Sequence, residues 1–243
     1  MTEQHRPHTT GRLSTRMTAA DQAKLTARLQ PYIFHLDNIT SSPAVIPAQA
    51  GIHDNKLCQG HSIDTYKQIE VELGLGNGLA LFERAKANPD TLYLGSEIYL
   101  NGLRSLVNRL EQTPAVTNVR LAPQDARDLL PALPAHSIHR VCIFYPDPWP
   151  KKKHHKRRLI QPELLTAIAR ILHPEGDFWF VSDIPDYVFY TLTTAYQHGT
   201  FHPTATSPSH WATAPDWWVP TKYEQKALRE GRFPWYLCFA QGN

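Results

Sequence analysis

Three features of this 243-residue chain predict an α/β fold with a central, mostly parallel sheet and helices on both faces. Short β-branched and aromatic runs alternate with stretches of helical period. Glycines gather at one strand-to-helix junction. Acidic residues stand at the carboxyl ends of successive strands, where open α/β sheets hold their ligands.

The elements follow in order. Residues 1–16 include Arg6, Arg12 and Arg16 with little apolar content, and Thr18 is placed to cap a helix through Gln30, so residues 1–37 form a basic arm and helix. Residues 38–63 break the alternation: Pro43, Pro47 and Gly51 lie in a stretch with no amphipathic period, an insertion or linker of unassigned order. The main domain spans residues 64–243. Its first strand, 68–73, carries Glu72 near its end and runs into Gly74, Gly76 and Gly78, after which 79–86 is helical and stops near Asn88-Pro89. The second strand, 92–97, delivers Glu97; the third, 119–122, precedes Asp125; a buried strand over 141–145 delivers Asp147. Pro162 opens a helix whose Leu164, Leu165, Ile168, Ile171 and Leu172 share a face, and the strand 177–181 then leads to Asp183. A helix from Pro185 to about Gln197, strands over 217–219 and 233–239, and a helix over 223–229 complete the domain.

The glycine turn and its acids predict a ligand. Glu97 lies about 20 residues beyond the glycines, the distance at which a carboxylate grips ribose hydroxyls in nucleoside-binding βαβ units. Leu79 breaks the G-x-G-x-x-G pattern, and an acid at the first turn repels a pyrophosphate. A cofactor with a cationic amino-acid end, a ribose and an adenine, S-adenosylmethionine, suits Glu72, Glu97 and Asp125 better. Taken singly, each acid is as readily a helix cap or a solvated loop end.

Residues 144–158 carry the most chemistry. Pro146 and Pro148 clamp Asp147 into a stiff corner that continues as neither strand nor helix. Six Lys or Arg and two His follow within eight residues, enough positive charge to hold a polyanion such as a nucleic-acid backbone. An aimed acid beside a phosphate-holding run points to chemistry on a nucleic acid.

Composition excludes several classes. With 25 Lys plus Arg against 22 Asp plus Glu, nucleic-acid affinity has to come from a local patch. Cys58, Cys142 and Cys238 are odd in number and widely spaced, against a disulfide framework or a zinc site. His154 and His155 are adjacent and point apart, with no metal-ligand spacing beside them, so no metal is expected. No apolar run is long enough to span a membrane and no signal-peptide core opens the chain, so a reduced, cytoplasmic setting is expected.

The glycine turn, the Pro-Asp-Pro-Trp-Pro-Lys-Lys loop ending in His-Lys-Arg-Arg, and Thr221-Lys222-Tyr223-Glu224 together resemble the tRNA (guanine-N7-)-methyltransferase family of the TrmB type, from about Arg12 to Ala240. The resemblance implies a Rossmann-like class I S-adenosylmethionine-dependent methyltransferase that methylates N7 of a tRNA guanosine, in the variable loop at position 46. It places the cofactor against Glu72, Gly74, Gly76, Gly78, Glu97, Asp125 and Asp147, with Asp147 as the active-site acid. Substrate-binding positions fall on Lys151, Asp183, Thr221, Lys222, Tyr223 and Glu224, and tRNA phosphates are expected at Lys156, Arg157 and Arg158. Where the family commonly has Thr-Asp-Trp, this chain has Ser182-Asp183-Ile184, so an aromatic wall is expected to be missing there. No obligate protein partner is implied, only a monomer or weak homodimer. The alternatives are a methyltransferase acting on another RNA or a protein, and a catalytically silent RNA-binding relative. The silent relative predicts a lost acid among Glu72, Glu97, Asp125 and Asp147, and all four are present.

Overall fold

A computed structural model describes residues 17–35 and 66–242. The basic arm, the 38–63 insertion and Cys58 lie outside the described residues. Helix α1 (Ala19–Leu29) starts at Thr18, whose hydroxyl accepts from the Asp21 amide. Its Leu25 and Leu29 pack with Leu103 and Leu106, and Arg28 bridges to Glu111 at 2.5 Å. The N-terminal helix is thus fastened to the outer face of the main domain.

The main domain alternates as expected: β1 (Gln68–Leu73), α2 (Leu79–Ala87), β2 (Thr91–Ser96), α3 (Leu100–Gln112), β3 (Val119–Ala122), α4 (Ala126–Leu129) and β4 (Ile138–Phe144). A 3₁₀ helix (Lys152–Arg157), α5 (Pro162–Ile171), β5 (Leu172–Ser182), α6 (Pro185–His198), β6 (Phe201–Pro203), α7 (Pro208–Ala212), α8 (Lys222–Arg229) and β7 (Trp235–Gln241) follow. The sheet order is β3-β2-β1-β4-β5-β7-β6. The first five strands run parallel, and β7 pairs antiparallel with both β5 and β6. Connections reverse direction between β1 and β4, which is where such sheets open a crevice at their carboxyl edge.

Strand alternation decides what each face carries. On β1, Val71 and Leu73 enter the main core with Val141 and Ile143, while Glu70 and Glu72 share the opposite face. There Arg84 from α2 bonds Glu70 at 3.1 Å and Glu72 at 2.5 Å, and Arg140 bonds Asp177 at 2.7 Å. Trp217 lies over both guanidinium groups, 4.6 Å from Arg140 and 5.5 Å from Arg84. This corrects the reading of residues 217–219 as a strand. They are loop, because both indoles are occupied: Trp218 packs on Phe144 and Tyr236 and donates to Glu224 at 2.7 Å. The short strand that joins β7 is Phe201–Pro203 instead.

Candidate active site

A cleft of about 850 Å³, open on one side, lies at the carboxyl ends of β1, β2, β3 and β4. One wall is the glycine turn. Gly74, Gly76 and Gly78 all have positive φ, 81°, 58° and 68°. Gly78 starts α2, and a Cβ there would lie 2.7 Å from Leu106, so α2 and α3 meet closely only because it is glycine. Gly102 brings α3 onto the turn itself; a Cβ there would be 1.9 Å from the Gly76 carbonyl oxygen.

Glu97 is buried beside that turn. Its Oε2 accepts from the Gly76 amide and its Oε1 from the Tyr99 amide, both at 2.9 Å. A carboxylate has about four acceptor positions, and with the Ile98 amide also bonding it one remains for a ligand hydroxyl. Burial pushes its pKa up, backbone N–H groups hold it partly down, and the neighbouring Asp147 charge pushes it up further. Asp125 caps α4 by accepting from the Arg127 amide on Oδ1 at 2.9 Å, and the residue lines the cleft. Gly74, Gly76, Glu97 and Asp125 therefore come together. Glu72 does not join them: it is 4% exposed, bonded to Arg84 and absent from the lining. Burial pushes its pKa up to about 7 against the pull of Arg84.

Across the cleft stands the proline corner. Asp147 projects at the mouth with its pKa raised by partial burial. Its neighbours Tyr145 and Trp149 hold left-handed φ of 49° and 43°, conformations costing about 1–3 kcal/mol each that persist only where surroundings impose them. Tyr145 and Tyr223 line the cleft with rings nearly parallel, 6.3 Å apart at 25°, and the buried Tyr145 hydroxyl has no partner among the described residues. Trp149 lines it too, under the Arg157 guanidinium at 5.0 Å. Nothing but its place in the motif marked Trp149, and nothing marked Tyr145.

A family model described as a putative methyltransferase matches residues 66–237. The tRNA (guanine-N(7)-)-methyltransferase of Ruegeria pomeroyi is 46% identical over 173 residues, 71% of this chain and 72% of its own. That of Azorhizobium caulinodans is 37% identical over 230 residues, 95% of this chain and 93% of its own. The chain belongs to the tRNA (guanine-N(7)-)-methyltransferase family. Among solved structures, the 16S rRNA (adenine(1408)-N(1))-methyltransferase from Catenulisporales acidiphilia superposes with a TM-score of 0.52 at 16% identity, over 74% of this chain and 90% of that one. An aminoglycoside resistance methyltransferase, NpmB1, gives 0.52 at 19% identity over the same shares. At that identity the likeness concerns the fold, that of class I methyltransferases.

The remaining positions divide sharply. In the Thr-Lys-Tyr-Glu segment only Tyr223 lines the cleft. Thr221 and Glu224 form a capping box for α8, and Glu224 also accepts from Trp218 Nε1 and from the Tyr236 hydroxyl at 2.8 Å. With three donors on its carboxylate, Glu224 is a fastening that holds Tyr223 at the cleft. Lys222 rests over the Tyr223 ring at 5.0 Å. Asp183 is buried and bonded to Arg232 at 2.6 Å. Lys151 and Lys156 are exposed on the basic 3₁₀ helix or at its start. Arg158, expected on a phosphate, is instead 1% exposed, because its guanidinium is turned inward to Pro148 and Asp186. Ile184 packs against the main core and does not line the cleft, whose aromatic wall is the Tyr145–Tyr223 pair.

Proposed function

We propose that this protein transfers a methyl group from S-adenosylmethionine to N7 of a guanosine in tRNA, in the variable loop. The observation that carries this reading is one shared cleft with Glu97 and the glycine turn on one wall and Asp147, between prolines and beside two tyrosines, on the other. The relatives bearing that activity in their names support the substrate, and the variable-loop position rests on the family likeness.

The residues fit the methyl donor. Gly74 leaves open space within 4 Å of where a Cβ would stand, Glu97 keeps an acceptor position beyond its three backbone donors, and Asp125 keeps one oxygen, an acceptor set suited to a ribose and a cationic amino-acid end. S-adenosylmethionine, when bound, supplies an electrophilic methyl on a sulfonium. Guanine N7 is an in-plane lone pair without a proton, so no general base is required. What remains for the chain is positioning and charge. Asp147, ionised, accepts from guanine N1–H and N2–H, fixing the base, and its negative charge stabilises the cationic methylated ring. The Tyr145–Tyr223 wall offers stacking surface for an extruded base and excludes water.

Among the described residues no helix is long and apolar enough to cross a membrane and no metal-binding cluster of three or more ligands occurs. We place the protein in the cytoplasm, acting as a monomer or weak homodimer. Incubating purified protein with labelled S-adenosylmethionine and a tRNA transcript, then analysing nucleosides by mass spectrometry, tests the reading. 7-Methylguanosine is expected from the native transcript and none when the variable-loop guanosine is replaced by adenosine. Methylation of the replaced transcript, or of another base, overturns it.

A further inference from the structure

The segment carrying Asp147 cannot hold itself in place. Pro146, Pro148 and Pro150 have no N–H to donate, and Tyr145 and Trp149 stand at φ 49° and 43°. Among the described residues, no backbone-to-backbone hydrogen bond reaches 146–150; the flanking ones join Tyr145 N to the Val181 carbonyl at 2.8 Å and His154 N to the Lys151 carbonyl at 2.7 Å. Among the described residues, one side-chain hydrogen bond does reach it. Arg158 Nε donates to the Pro148 carbonyl at 2.9 Å, on the residue next to the acid.

Arg158 is itself fixed from three sides. Its Nη2 donates to the Asp186 carboxylate at the start of α6, and its guanidinium lies 4.7 Å from the Tyr187 and Tyr190 ring centres. Its side chain is wholly buried while Asp186 remains 63% exposed, and Nη1 has no partner among the described residues. A guanidinium so buried has no face left for an external phosphate. A planar fork also joins two acceptors at a set angle, which an ammonium does not.

We propose that Arg158 is the positioning residue for Asp147, with Asp186 as its anchor, so that the start of α6 sets the geometry of the methyl-transfer corner. The inference rests on the methylation reading above and assigns to the end of the basic run a mechanical role distinct from tRNA affinity.

Asp186 makes the test clean, because it is exposed and lies outside the cleft. Asp186→Asn is expected to lower the single-turnover methylation rate roughly ten- to a hundredfold, since small misplacements carry losses of that order. Cofactor affinity and the salt dependence of tRNA binding should stay unchanged, and Asp186→Glu should restore much of the rate. A readout free of catalysis accompanies it. With fluorotryptophan incorporated and the Trp149 resonance assigned through Trp149→Phe, that resonance should shift or broaden in Asp186→Asn and in Arg158→Lys. An unmoved Trp149 resonance in Asp186→Asn, or an unchanged single-turnover rate, overturns the proposal, whatever becomes of Arg158→Lys stability. If the wild-type protein methylates no tRNA while Trp149 still responds, the methylation reading fails and the strut stands.

Discussion

The glycine turn after β1 and the proline corner after β4 leave adjacent, paired strands at the same edge of the sheet, yet they are built on opposite principles. The glycine turn is made of permissive residues and is held through its own amides: Gly74 and Leu75 donate to the Ser96 carbonyl at 2.8 and 3.1 Å, and Gly76 donates to the Glu97 carboxylate. The proline corner is made of stiff residues, and the hydrogen bond that holds it comes from a side chain ten residues downstream. A backbone-bonded turn suits a cofactor that must be gripped in one pose. A corner steered by a side chain can aim a single acid without offering amides that compete for it.

The largest effect expected from breaking that contrast is at the tip of the corner. Asp147→Ala should reduce single-turnover methylation by about 10²–10³-fold, the range for removing one electrostatic group from a reacting centre, and leave cofactor affinity almost untouched. Calorimetry with S-adenosylmethionine beside rapid-quench kinetics separates the two. A large loss of cofactor affinity with a preserved rate would place Asp147 on the other wall.

The complementary change on the glycine side is smaller. Glu97→Ala should weaken cofactor binding by about 1.5–3 kcal/mol, the range for hydrogen bonds to a charged group. The rate in the ternary complex should change less than for Asp147→Ala. Glu72 supplies the control. Because its carboxylate faces Arg84 on the far side of β1, Glu72→Gln should act through stability, leaving cofactor affinity within a few-fold of wild type.

Glu72 also marks the boundary of what local sequence signals convey. The alternation, the glycine turn, Glu97, Asp125 and Asp147 were legible because strand ends and turn residues are local signals. Glu72 was misjudged in its placement for a non-local reason: strand period shows that Glu70 and Glu72 share a face, but the cation waiting there comes from α2, and nothing in its spacing announces Arg84. Trp217 and Trp218 read as strand residues because β propensity and packing over buried guanidinium groups select the same side chains. Lys156, Arg157 and Arg158 looked alike in sequence, and only folding turns Arg158 inward and sets Arg157 on Trp149.

The pH dependence should also tell the walls apart. Partial burial raises the Asp147 pKa above the ordinary aspartate value, so its ionised form is lost as pH falls through that raised value. Single-turnover rates should therefore decline on the acid side, with a midpoint above the usual ~4 of an aspartate. In Asp147→Asn the rate should be low and that limb absent. A wild-type limb that survives in Asp147→Asn would assign the titration to another group, Glu97 first, since burial raises its pKa as well.

The smallest effect concerns affinity alone, and it divides the basic run by exposure. Lys152, Lys153 and Lys156 are exposed on the 3₁₀ helix and free to meet phosphates, whereas Arg158 is enclosed between two tyrosines. Each phosphate left without its cation should flatten the log–log salt dependence of tRNA binding by about 0.7–0.9. Neutralising the three lysines together is expected to remove two or three such increments, with turnover at saturating tRNA little changed. Arg158→Gln should leave the slope where it is and lower the rate instead, because its charge is already committed to Asp186 and its Nε to Pro148. Measuring tRNA affinity at several salt concentrations for both variants sets the two outcomes side by side. Equal slopes for wild type and the triple lysine variant would make the run a solvated face, and the docking of tRNA would have to be sought elsewhere on the molecule.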